Sequence, residues 1–124
     1  MTAREIQELV DSFCYWDARV VRLDSRHFID EIEMAYDAGE YDVTYNFIGC
    51  YKANFDHCKN YDKLRPLKEA KVGQIPYFLQ NVEVGETVEE GIHFLTCRIN
   101  MFPLTLNIWF KDIKISKEKK QETH

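Results

Sequence analysis

From Leu104 to Ile115 (LTLNIWFKDIKI) the apolar residues stand at every second position, Leu104, Leu106, Ile108 and Phe110. They miss a beat at Lys111 and Asp112, then resume at Ile113 and Ile115. Period two marks a half-buried strand, because successive side chains leave on opposite faces. One inserted residue accounts for the missed beat, so a β-bulge is expected there. The same period runs through HFIDEIEMAYDAGEYDVTYNF, where Ile32, Met34 and Tyr36, then Tyr41, Val43, Tyr45 and Phe47, alternate with polar neighbours around Asp37-Ala38-Gly39. This predicts a hairpin whose tight connection uses the positive φ open to Gly39. Glu31, Glu33 and Asp42 then project to its solvent side.

Period two recurs elsewhere. Val21 and Leu23 alternate ahead of a turn predicted at Asp24 to Arg26, and Tyr51, Ala53 and Phe55 make a short strand. Phe78, Val82 and Val84 form another, followed by a turn at Gly85 to Gly91 and a strand through Leu95, Cys97, Ile99 and Met101 that Phe102-Pro103 ends. Only the N-terminus switches period. Thr2 and Glu5 have capping-box spacing, and Ile6, Leu9, Val10 and Phe13 fall on one helical stripe, predicting a helix of about three turns that ends near Phe13 or Cys14. A further helical turn is open from Pro66 to Lys71.

Together these elements predict a mainly β, α+β fold: an antiparallel sandwich or strongly curled sheet of about seven strands with one N-terminal helix. A sheet covered on one face alone would forgo most of the roughly 1.5 to 3 kcal/mol that each buried aliphatic or aromatic side chain contributes. The chain's 124 residues suit one core, so residues 1–116 are expected to form a single domain and residues 117–124, without an apolar member, a disordered charged tail.

Composition narrows the function classes. A hydrophobic fraction of 45% argues against disorder, and no apolar run approaches the roughly 20 residues of a membrane span. The N-terminus lacks the basic start and apolar run of a secretory signal, so the cytoplasm is expected, with Cys14, Cys50, Cys58 and Cys97 reduced. The net charge of -5 argues against nonspecific nucleic-acid binding. Six acids and no Lys or Arg lie from Asp30 to Asp42, and Glu83, Glu86, Glu89 and Glu90 make a second acidic stretch, whereas lysines collect from Lys111 to Lys120. Such acids either keep exposed strands soluble or form a docking surface for a basic partner.

Asp56-His57-Cys58 is the densest reactive cluster, with Cys50, His93 and Cys97 elsewhere. Zinc-ligand spacing is missing: His93 and Cys97 are four apart, which on a strand separates them by about 13 Å. Neighbours on a strand face opposite ways, so His57 is poorly placed to activate Cys58. No metal or cofactor is expected, and no glycine-rich phosphate loop is present. A small enzyme or ligand-binding domain lined by Asp56, His57, Cys58 and His93 remains the alternative. Trp109 faces away from Leu106, Ile108 and Phe110, and is either covered by another layer or exposed as an anchor for a partner.

The helix followed by Phe13-Cys14-Tyr15-Trp16-Asp17-Ala18-Arg19-Val20, the acidic hairpin ending in Asn46-Phe47-Ile48-Gly49-Cys50, and the closing strands up to Lys114 resemble bacterial toxin-immunity proteins. That group includes immunity proteins of polymorphic toxin systems and of contact-dependent growth inhibition. The resemblance implies a non-enzymatic protein that occupies a cognate toxin domain, often a basic nuclease, with an acidic ribbon standing in for the phosphate backbone. On this reading the contact residues are Glu31, Glu33, Asp37, Glu40 and Asp42, with Glu86, Glu89 and Glu90 as the other patch and Trp109 as aromatic anchor.

Overall fold

The computed structural model describes residues 1–58 and 67–120. A single α-helix, α1 (Ala3–Ser12), is followed by β1 (Val20–Arg26), β2 (Glu31–Asp37), β3 (Tyr41–Ile48), β4 (Lys52–His57), β5 (Asn81–Glu89), β6 (Ile92–Met101), β7 (Leu104–Phe110) and β8 (Asp112–Lys119). They form two antiparallel four-stranded sheets, ordered β1-β2-β3-β8 and β4-β7-β6-β5. The sheets face each other over one core, in which Phe47 of β3 meets Phe110 of β7 edge-on at 4.9 Å. The inward alternation of the β2–β3 hairpin holds: Ile32, Met34, Tyr36, Val43, Tyr45 and Phe47 are all buried. Gly39 takes φ +97 and its N–H donates to Asp37 Oδ1 at 2.8 Å.

The helix begins with the predicted capping box, Glu5 N–H donating to Thr2 Oγ1 at 3.1 Å and Thr2 N–H to Glu5 Oε1 at 3.2 Å. These bonds hold the Glu5 carboxyl below its ordinary pKa. Ile6 and Val10 enter the core. The helix also covers an edge. Gln7 Nε2 donates to Val82 O at 2.9 Å and Gln7 Oε1 accepts from Val84 N–H at 2.7 Å, while Val82 N–H donates to the Tyr15 hydroxyl at 2.9 Å. One side-chain amide thus occupies the place of a peptide group from a missing neighbour strand.

Several sequence expectations are corrected. The Leu104–Ile115 stretch is two strands in two sheets, and the missed beat at Lys111 is the corner where the chain passes between them. The partner strand turns the same corner: β3 pairs with β8 from Tyr41↔Lys119 to Ile48↔Asp112, and β4 with β7 from Lys52↔Trp109 to His57↔Leu104. The unmatched residue lies on the β3–β4 side, where Gly49 has φ +66 and a Cβ would come 3.1 Å from Lys111 Cβ.

The expected turn at Asp24 to Arg26 is strand, with Arg26↔Glu31 paired and the tip at His27 to Asp30. The expected turn at Gly85 to Gly91 is also strand as far as Glu89, and two residues suffice to reverse it, Glu90 at φ +50 and Gly91 at φ +76. Gly85 lies within the ladder, where a Cβ would sit 3.0 Å from Thr96 Oγ1. Phe78 precedes β5 and bridges Arg19 instead. The predicted tail is strand through Lys119, and residues 121–124 lie outside the described residues. Of the turn expected from Pro66 to Lys71, Leu67–Glu69 is a 3-10 turn and Pro66 lies outside the described residues.

Candidate functional site

The outer face of the first sheet carries the predicted acidic ribbon, and its acids are largely committed within the molecule. Glu33 was expected to project into solvent, yet it is only 7% exposed. The register places it across from Asp24 on β1, and the flanking Arg22 and Arg26 each hold one of its carboxylate oxygens. This ion pair holds the Arg22 guanidinium above its ordinary pKa. Glu31 faces His27 at 3.4 Å. Asp37 is bonded by Lys120 and by the Gly39 amide, in that order the causes that hold its carboxyl below its usual pKa. Asp42 stands between Asp37 and Glu118 across the strands, three acids abreast. Of the five residues singled out here, Glu40 at the hairpin tip is exposed and forms no ion pair among the described residues.

The second acidic stretch does not form one patch. Glu86 and Glu89 are three apart on a strand and so leave on opposite faces. Glu86 lies near His93, at 3.6 Å, and near Ala3 at the start of the helix. Glu89 joins the outer face of the second sheet, and Glu90 is exposed in the two-residue turn.

Among the described residues, neither the helix nor another layer covers Trp109 on that second face. It lies in a cluster with Tyr51 and Phe94: Tyr51 stacks on Phe94 at 4.6 Å between ring centroids, and both rings lie within 6.4 Å of Trp109. Lys52 Nζ sits 4.3 Å from the centre of the Trp109 ring and 3.1 Å from the Glu89 carboxylate, while Lys111 Nζ lies 4.7 Å from that of Phe94. Tyr51 is half-exposed and Phe94 is buried beneath it. Beyond the aromatics, Asn54, Asn107 and Arg98 lie abreast across β4, β7 and β6 and line shallow depressions with Lys52, Asp56 and Thr105. Amides, a guanidinium and half-covered rings on an open sheet face suit contact with another macromolecule better than enclosure of a small molecule.

Residues 2–117 match the protein family described as Immunity protein PIM7. The chain belongs to the PIM7 immunity protein family. No curated protein matches it. Immunity proteins bind cognate toxins, so a protein partner is implied.

The alternative, enzyme-like reading of this immunity protein rested on convergence of Asp56, His57, Cys58 and His93. Register keeps His93 away from the other three: His57 pairs with Leu104, which pairs with Met101, eight positions along β6 from His93. At about 3.3 Å per residue that is roughly 26 Å. His57 Nε2 is instead 2.7 Å from the hydroxyl of Tyr77, whose pKa burial raises. Burial also pushes the Cys50 thiol up to about 11, and the Cys97 thiol higher still. No group of three metal-ligating side chains occurs among the described residues, and none of their helices is long and apolar enough to cross a membrane.

Sequence reasoning singled out Trp109 but missed Tyr51, Phe94 and Lys52, because its company is supplied by β4 and β6 through long-range register. It also missed Phe28. The available signal was the apolar pair Phe28-Ile29 set between His27 and Asp30.

Proposed function

We propose that this immunity protein neutralises its toxin by docking it on the outer face of the second sheet, with Trp109 and Tyr51 as anchors and Lys52, Glu89, Asn54, Asn107 and Arg98 as the polar surround. The supporting observation is the Tyr51–Phe94–Trp109 cluster on a face that no other element covers among the described residues. Aromatic rings held by packing bury large area at little entropic cost, which makes them frequent centres of binding energy.

The net charge of -5, with Glu83, Glu89 and Glu90 beside this face and Glu40 on the other, favours a basic partner and speeds encounter with it. A nuclease fits that description, since a groove that holds nucleic acid carries the cations needed for phosphate. Carboxylates then steer the encounter, and the rings hold the complex. On this reading the protein acts in the cytoplasm without a cofactor and without catalysing a reaction.

The test is calorimetric titration of the cognate toxin domain in catalytically inactivated form. Trp109→Ala is expected to weaken binding by about tenfold or more with an unchanged circular dichroism spectrum. In surface plasmon resonance, Glu40→Lys should lower the association rate by a few-fold and leave dissociation alone. Wild-type affinity in Trp109→Ala would reject the assignment of this face.

A further inference from the structure

The tip of the β1–β2 hairpin, His27 to Asp30, carries a large apolar side chain that the isolated molecule does nothing with. Phe28 is 97% exposed, and Ile29 beside it is half-exposed. Its backbone lies in the left-handed region, φ +63, directly after His27 at φ +52. Glycine and asparagine accept that region readily, whereas a bulky residue is an outlier there. An exposed Phe on a backbone that disfavours it gains nothing from the fold.

The tip is held in place, not loose. Arg26↔Glu31 closes the ladder beneath it, Asp30 N–H donates to His27 O at 3.2 Å, and Cys50 N–H donates to Asp30 O at 2.9 Å, tying it to the β3–β4 corner. Phe28, Ile29, Asp30, Cys50, Tyr51 and Lys52 line one depression between tip and corner. Tyr51 belongs to this depression and to the Trp109 cluster, so the tip and the second-sheet face are continuous.

We infer that Phe28 is a plug that seats in an apolar pocket on the toxin domain, a contact that rests on the toxin-docking role above and adds its specificity element. Asp30, beside the plug and in no ion pair among the described residues, faces a cation on the pocket rim. A lipid surface is the poorer fit: Asp30 and Glu31 flank the plug and the chain carries a net charge of -5, which an anionic bilayer repels.

The experiment compares wild type, Phe28→Asn, Phe28→Leu and Trp109→Ala for thermal midpoint and for affinity to the inactivated cognate toxin domain. Phe28→Asn relieves the backbone, so its midpoint should equal or exceed that of wild type while affinity falls by about tenfold or more. Phe28→Leu should keep a larger share of the affinity than Phe28→Asn. Wild-type affinity in Phe28→Asn overturns the plug; if Trp109→Ala is weakened in that same series, the docking face stands without it. Sedimentation of the free proteins supplies a second check. A wild-type dimer that Phe28→Asn converts to monomer makes the tip a contact between copies and also overturns the inference.

Discussion

The two outer faces of this sandwich are built from similar strands and differ in where their polar groups are spent. On the first sheet, Glu33 is enclosed by Arg22 and Arg26, Asp37 by Lys120, and Glu31 faces His27. On the second, the cations Lys52 and Lys111 lie over aromatic rings, and amides stand abreast with no layer above them among the described residues. A face rich in charge is therefore not the face best prepared for a partner. Carboxylates already paired must give up those pairs before a new one forms, whereas half-covered rings offer apolar area beside the lysines that lie over them.

Four variants sharpen or break this contrast. The largest effect is expected from Arg22→Met with Arg26→Met, which strands the enclosed Glu33 carboxylate and should cost about 3 kcal/mol in urea unfolding. Toxin affinity should stay near wild type; a large loss of affinity without loss of stability would make the first sheet the docking face. Next, Trp109→Ala should reverse the pattern, lowering affinity by about 2 kcal/mol while the unfolding midpoint moves little. Gln7→Ala leaves both faces untouched and removes two bonds at the β5 edge, for about 1 kcal/mol and a concentration-dependent mass in sedimentation.

The smallest effect is expected from Asp37→Asn. The folded state depresses this carboxyl, so its contribution is present above the ordinary aspartate value of about 3.9 and disappears as pH falls through the folded value. The pair is partly exposed, so the deficit of Asp37→Asn at neutral pH should be a few tenths of a kcal/mol and should vanish once pH falls below the depressed folded value. A deficit that grows on acidification would contradict the assigned ion pair.

Local rules carried much of the fold. Thr2 and Glu5 announce the helix because both halves of the capping box lie within one turn, and the inward residues of β2 and β3 are legible because a single period spans the hairpin. What escaped was set by partners distant in sequence. Glycine at position 85 looks like a turn until Thr96 is known to stand across from it. Glu33 looks solvated until the β1 register supplies two arginines. The break at Lys111 looks like a local irregularity, because nothing nearby shows that β3 and β4 turn the same corner. Trp109 was legible as outward-facing, but its neighbours Tyr51 and Phe94 come from two other strands.

That shared corner has a mechanical consequence. Lys111 N–H donates to Ile48 O at 3.0 Å and Tyr51 N–H to Trp109 O at 2.7 Å, so the ladder carries on around the bend. The two layers are sewn along this seam and have no hinge there, and a load on Trp109 passes to Ile113 through four peptide links. A toxin that closes on one layer meets a stiff body whose shape was settled during folding, and little ordering remains to be done on contact.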